Sequence, residues 1–478
     1  MSKENQNINL KRIQRITRNF FLHFHAAKVN PSVLNPAYTF GLGFILASLF
    51  LIMIMTGLIL MIYYTPTVEN AYDSVKDIVF VVPGGRYIRN IHRWAAHGMV
   101  LVALLHLLRT FFTGAYFGKR KLNWIIGVGI MVVVLFMNFS GYLLPWDQLA
   151  YWAVTIGSNI AASFRELTDL LGITSFIDIG GFLKKLLIGG DSVGQPALTR
   201  FFMFHVIFLP LTLLIMTGWH FWRIRKDGGL TSPQVLNSSS PRVFESASLQ
   251  ISNGVNETQD PFTRENDPKL FSWPLIMWIE LAVLMFVIIA VIAMAIMFDA
   301  PLREQANPQF SENPAKAPWY FLGIQELISY SAFAGGILIP LLFIAFLVSI
   351  PFVDNEEKYS GIWFSGNRGK KLMASSFVFS AAISVAMIFI VVKFGWLREW
   401  IGNISGFILL IFNPATISAF LFIIWSVLIR NKTGSTRMAG IALFTCAITG
   451  LIIYTVTGVW FRGPDWEFYW SSAQWPVQ

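Results

Sequence analysis

The sequence predicts an all-α integral membrane protein of about nine transmembrane helices. Two observations predict it, and a third narrows the chemistry. Of the 478 residues 55% are hydrophobic and only 13% are charged, a balance too apolar for a soluble chain of this size. Stretches of roughly 20 residues with few or no charges, long enough to cross a bilayer as helices, recur along the whole chain. A single cysteine, Cys446, lies inside the last of them, so disulfide frameworks, thiolate zinc sites and iron-sulfur clusters held by this chain alone are excluded.

The elements follow in order. Residues 1–37 are polar and basic and form an amphipathic segment without a short apolar run ahead of a small-residue cleavage site, so no cleavable signal peptide is expected. Spans are expected at 38–64, 94–113, 122–144 and 201–222. A polar stretch of about 225–270, rich in Ser, Asn, Asp and Pro (Ser238-Ser239-Ser240-Pro241, Asn253-Gly254), reads as a linker between two membrane modules. Five further spans are expected at 272–298, 331–353, 372–392, 404–429 and 438–461. The expected organisation is therefore 1–37, a four-helix module at 38–226, a linker at 227–270, a second module at 271–371, and additional helices with a tail at 372–478. No internal repeat of the kind found in transporters with inverted halves is visible.

Charge sets the expected orientation. If the spans alternate, segments on the N-terminal side hold 22 Lys+Arg against 10 Asp+Glu, and those on the other side 12 against 15. The positive-inside rule then places the N-terminus in the cytoplasm, with the chain in the inner (cytoplasmic) membrane of the cell and in contact with its lipid. The net charge of +10 thus reports topology and gives no reason to invoke nucleic acid.

Four of the seven histidines form a set. His92 and His106 lie in or at the start of the second span, His205 and His220 in the fourth. The spacings are 14 and 15 residues, which at 100° per residue leave each pair broadly on one helix face and separate its members by roughly 21 to 22 Å. Each helix thus offers one imidazole near each membrane surface, and facing helices would set His92 opposite His205 and His106 opposite His220. Two stacked bis-imidazole sites are what two non-covalent b-type haems require. The competing reading is four buried histidines bonded to carbonyls. His97, turned about 140° from His92, reads as structural.

The same ruler applies to glycines. Gly43 and Gly57, and Gly127 and Gly141, are also 14 apart, and a flat porphyrin needs neighbouring helices without a side chain at its depth. Arg89, Arg109 and Arg223 lie three residues outside His92, His106 and His220, where they could meet anionic propionates; Arg200, five before His205, is a looser match. Snorkelling is the alternative for each.

From about 36 to 230 the chain resembles cytochrome b of the quinol-oxidising bc complexes, in several places its chloroplast and cyanobacterial b6 form. The resemblance rests on Thr56-Gly57, Tyr64-Thr65-Pro66-Thr67, Ile91-His92-Arg93-Trp94, Leu105-His106, Gly141-Tyr142, Pro145-Trp146-Asp147-Gln148, Tyr151-Trp152-Ala153-Val154, Ser192-Val193-Gly194-Gln195 and Leu198-Thr199-Arg200-Phe201. The 15-residue step from His205 to His220 is similar to the b6 form. Residues 271–353 resemble the quinol-site half of the family, a separate chain in b6 complexes.

The resemblance implies the cytochrome b subunit of a respiratory quinol:cytochrome c reductase working by a Q cycle. It implies two b-type haems, with Arg93 among the residues around them, a Rieske iron-sulfur partner, a c-type cytochrome and a homodimeric complex, with menaquinone taken as the quinone. Quinol would bind outside near Tyr142, Pro145, Trp146 and the loop carrying Pro318, Trp319 and Tyr320. Quinone would be reduced on the cytoplasmic side near Arg225, His23 and His25.

Two departures matter. The loop reads Ala317-Pro318-Trp319-Tyr320 where most relatives carry a glutamate, which leaves Asp147 and Glu326 as the expected substitutes for a proton-accepting carboxylate. The position of the cysteine that holds an extra covalent haem in b6 complexes corresponds to Gly41, so no such haem is expected. Two other classes remain open: a di-haem membrane anchor of another oxidoreductase that moves electrons without bifurcation, and a transporter with histidines in a proton relay.

Overall fold

A computed structural model describes residues 25, 28–232, 270–402, 404 and 406–476. Most of the expected N-terminal segment and of the linker lies outside the described residues. Among those described, nine helices are long and apolar enough to cross a membrane: α1 Leu42–Tyr63, α2 Gly85–Phe112, α3 Lys121–Leu143, α4 Gln195–Lys226, α5 Leu275–Met297, α6 Ala334–Val353, α7 Asn367–Phe394, α8 Pro414–Thr433 and α9 Thr436–Phe461. Shorter helices lie between α3 and α4 (Gln148–Ala162, Phe164–Leu170, Ile179–Ile188), between α1 and α2 (Ala71–Phe80), and ahead of α6 (Trp319–Tyr330). Among the described residues, the one pairing of β-strands joins Lys28–Val29 to Leu270–Phe271, antiparallel.

Two boundaries differ from expectation for identifiable reasons. α2 begins at Gly85 and not at 94, because its first turns carry charges that find partners. Arg86 pairs with Asp299, Arg89 donates to the carbonyls of Ala300 and Pro301 (both 2.7 Å), and the Arg93 guanidinium lies 5.7 Å from the Tyr142 ring centre. Hydrogen bonds from Arg86 and Asn90 hold the Asp299 carboxyl at about 2. α8 begins at Pro414 and not at 404: Pro414 occupies the first helical position and the Asn413 side chain accepts from the Thr416 amide at 3.0 Å.

Prolines set the helix phase. Pro210 lacks an N–H and its ring conflicts with the carbonyl four residues back. The chain responds with a π turn at Phe204–Phe208, closed by the Leu209 amide on the Phe204 carbonyl. The same device is found at Ala334–Leu338 ahead of Pro340. A π turn absorbs one extra residue, so the 15-residue step from His205 to His220 carries the rotation of a 14-residue step in a regular helix. His205 and His220 are thereby matched in phase and depth to His92 and His106.

The last three helices dock through small residues. Ser376, Ser380 and Ser384 are fully buried at four-residue spacing on α7, where they let the α9 backbone approach. Ser380 Oγ donates to the Cys446 carbonyl at 2.8 Å, and Trp425 of α8 donates to Ser376 Oγ at 3.0 Å. α9 is then fastened at its start. Arg437, fully buried, donates to Tyr116 OH (2.6 Å), Ser365 Oγ (3.0 Å) and the carbonyls of Phe111 and Phe112 (2.8 and 3.2 Å) at the C-terminus of α2. Tyr116 OH passes the contact on to Asp354 Oδ2 at 2.6 Å, itself 3.7 Å from Arg437. Burial pushes the Asp354 carboxyl above its ordinary range, opposed by Tyr116 and Arg437.

Removing the cation should therefore expose that burial cost. Arg437→Met is expected to destabilise the protein by about 3–5 kcal/mol, read as a lower unfolding midpoint in detergent. Combining it with Asp354→Leu should recover most of the loss, because no buried charge is then left alone.

Candidate functional site

α2 and α4 bring His92 and His205 together with ring centroids 6.1 Å apart and ring planes at 77°. The hydroxyl of Thr56 on α1 gives its proton to the Ile52 carbonyl at 2.7 Å, so at 2.9 Å it accepts from His92 Nδ1–H. His205 Nδ1 lies 3.1 Å from the Met137 carbonyl, an acceptor only, and 3.1 Å from Ser140 Oγ. Both rings therefore carry hydrogen on Nδ1 and present a bare Nε2. A metal about 2 Å from each of two facing Nε2 atoms sets ring centres about 6 Å apart, so this pair fits a bis-imidazole iron.

The second pair is placed on the same two helices: His106 lies within electrostatic reach of His220, whose ring lies against the Asn123 backbone of α3. One turn beyond His106, Arg109 stacks on the Tyr38 ring at 4.5 Å and donates from Nε to the Tyr38 carbonyl at 3.3 Å. Its Nη2 is buried and has no partner among the described residues. A buried cationic donor with spare capacity suits an anionic substituent such as a propionate.

Three of the four expected glycines lie against imidazoles. A Cβ on Gly57 would come within 3.2 Å of the His92 ring, one on Gly127 within 3.5 Å of the His220 ring, and one on Gly141 would collide with His205. Gly43 faces open space. Two expected propionate partners are otherwise engaged. Arg89 spends its terminal nitrogens on the 300–301 carbonyls, and Arg200 donates from Nη1 to the carbonyls of Lys185 and Leu186 (2.8 and 2.7 Å), capping the Ile179–Ile188 helix. Helix-end and loop carbonyls outcompete a distant anion for them.

At the Tyr142 end, the Pro145 to Gln148 segment is a brace. Trp146 is buried with φ 51°, a left-handed backbone that a large side chain adopts only when its surroundings impose it. Its carbonyl accepts from the Ala306 amide at 3.1 Å, and Gln148 binds Asn307 and Phe310. Asp147 caps the next helix through the Ala150 amide at 2.9 Å and accepts from Arg303 N at 3.0 Å.

Glu326 is more deeply committed. It is fully buried, with Arg462 Nη2 at 2.5 Å and Nε at 2.9 Å, Tyr330 OH at 2.7 Å and Trp466 Nε1 at 3.0 Å. Both carboxylates expected to take a proton are thus structural: Asp147 holds a loop, and Glu326 anchors the tail beyond α9. Sequence reasoning missed Arg462 because its partner lies 136 residues away.

Pro318 precedes the Trp319–Tyr330 helix and sets its first turn. Trp319 Nε1 donates to His97 Nδ1 at 3.0 Å, and the Tyr320 ring meets the His97 ring edge-on at 5.6 Å. Burial pushes the Tyr320 phenol up to about 12, so it remains a donor at neutral pH. His97, read as structural from sequence, is the residue through which the Trp319-Tyr320 loop touches α2. Tyr142 and Pro145 are half-buried beside this cluster.

Of the residues expected at a cytoplasmic quinone site, His23 lies outside the described residues. His25 Nε2 is 3.3 Å from Glu280 on α5, and burial lowers the His25 imidazole below its ordinary value. Arg225 is exposed near the end of α4.

The family model described as Cytochrome b/b6/petB matches residues 26–228. Over 187 residues the chain is 42% identical to cytochrome b6 of Prochlorococcus marinus strain MIT 9211, covering 39% of this chain and 80% of that protein. The same figures hold for cytochrome b6 of Prochlorococcus marinus strain MIT 9515. The chain belongs to the cytochrome b/b6 family. A solved chain described as Hyperthermophilic respiratory Complex III shares the fold, with a TM-score of 0.59 and 22% identity over 95% of this chain and 96% of that one. Family membership makes this a multi-pass, b-type haem-binding electron-transport protein.

The close approach of Gly141 to His205 is directly testable. Gly141→Ala should weaken haem retention roughly ten- to hundred-fold by displacing the ring, measured as pyridine haemochrome per chain after detergent washing. Ser140→Ala, which leaves the Met137 carbonyl bonded to His205, should retain haem.

Proposed function

We propose that the protein is the cytochrome b subunit of a quinol:cytochrome c oxidoreductase that oxidises quinol on the outer side and reduces quinone on the cytoplasmic side. The observation that carries the reading is the pair of imidazoles at 6.1 Å, each with Nδ1 tied down and Nε2 bare, alongside a second pair of histidines of matching phase one membrane half away. His92 and His205 would hold the outer haem, His106 and His220 the inner one, with Arg109 beside the latter. When bound, the two haems would supply a one-electron relay across the membrane.

The chain's own residues do the rest. Tyr142, Pro145, Trp319 and Tyr320 frame the outer quinol site, and Tyr320 keeps its proton as a donor to a substrate oxygen. The two electrons of quinol leave by separate routes, one of them to a Rieske iron-sulfur partner that reduces a c-type cytochrome. On the other side Arg225, His25 and His23 supply charge and protons to quinone, with His25 reaching Glu280. Proton release outside and uptake inside then build a gradient. The charge asymmetry of the loops supports the cytoplasmic N-terminus in the cell's inner membrane, and the complex works as a homodimer with menaquinone as substrate.

Dithionite-reduced, purified protein should show b-type absorbance equivalent to two haems per chain. His106→Ala should remove one of them and leave the other; loss of neither, or of both in a folded protein, would end this assignment.

A further inference from the structure

We propose that His97 binds a ring oxygen of the quinol through its Nε2–H, and that Trp319 acts through it by holding the imidazole in the tautomer that makes this donation possible. The proposal deepens the outer-site reading above and rests on it.

Three observations meet at this residue. The loop position where relatives place a glutamate is Pro318, which has neither donor nor ionisable group. The two carboxylates nearest in role are spent, Asp147 on the amides of Ala150 and Arg303, Glu326 on Arg462, Tyr330 and Trp466. His97 is the polar group that the Trp319-Tyr320 segment itself touches.

The direction of the hydrogen bond fixes the chemistry. An indole nitrogen donates and never accepts, so at 3.0 Å from Trp319 Nε1 the His97 Nδ1 must offer its lone pair. In the neutral ring the hydrogen then sits on Nε2. That atom makes no hydrogen bond among the described residues, and the ring is only half-buried, between Trp94 at 5.5 Å and Tyr320 at 5.6 Å. The site therefore presents an N–H donor set among aromatic rings inclined at 51° and 76° to the imidazole, which suits the oxygen of a quinone. With its lone pair held by the indole, His97 serves as a donor to substrate and takes up no proton in this role. His97 thus binds the substrate oxygen where Pro318 cannot, and the quinol protons pass to the outer aqueous side and not to this ring.

The test uses the purified complex with a short-chain menaquinol analogue for turnover and the corresponding quinone for equilibrium binding by tryptophan quenching. His97→Phe keeps the ring and removes the donor; it should raise KM and the quinone Kd roughly ten-fold with both haem absorbances intact. His97→Gln, which restores an N–H, should recover most of the affinity. Trp319→Phe should raise KM in the wild-type background and by a clearly smaller factor in the His97→Phe background. Unchanged KM and Kd in His97→Phe, or equal losses in His97→Gln and His97→Phe, would overturn the proposal. If the unsubstituted complex binds quinone in a His97-dependent way yet oxidises no quinol, the oxidoreductase reading fails while the binding role of His97 stands.

Discussion

The pairing of His92 with His205 constrains everything around it. An imidazole in the middle of a membrane is tolerated only if both nitrogens have somewhere to go. Nδ1 is served by Thr56 on one side and by Met137 and Ser140 on the other, which commits four helices to fixed rotations. Gly57 and Gly141 must lack side chains because the rings lie against them. The Pro210 π turn must absorb a residue because otherwise the lower pair would rotate out of register with the upper one.

The C-terminal half is bound to this arrangement by two buried arginines at the two ends of α9. Arg437 donates to the terminal carbonyls of α2, the helix that carries His92 and His106, and Arg462 neutralises Glu326 on the helix that begins with Trp319 and Tyr320. Each replaces water for groups that cannot reach it. The helices beyond residue 367 thus position both ends of the site without contributing a residue to it. That division explains why their sequence carries serines at four-residue spacing and little ionisable chemistry.

Carboxylates placed by motif change meaning once their partners are visible. Asp147 and Glu326 stand at plausible positions along the chain, yet both are hydrogen-bonded to structural groups, one as a helix cap and one in a salt bridge. His97 moves the opposite way, from a control residue to the contact between α2 and the loop. A single carboxylate or imidazole has the same letter whether it is satisfied or free. Only the geometry of its acceptors and donors distinguishes the two.

What sequence alone determined is whatever depends on local composition and helical period: the nine spans, the spacing of the four histidines and the glycines that share it. These follow from bilayer thickness and from 3.6 residues per turn, which act on neighbouring residues. The start of α2 lies earlier than composition places it, because its charges are neutralised by Asp299 and by loop carbonyls more than 200 residues away. The Arg437 and Arg462 anchors, the tautomers of His92 and His205 and the Trp319 to His97 bond were decided by tertiary structure. Each joins residues far apart in the chain, where no periodicity couples them and only packing brings donor to acceptor.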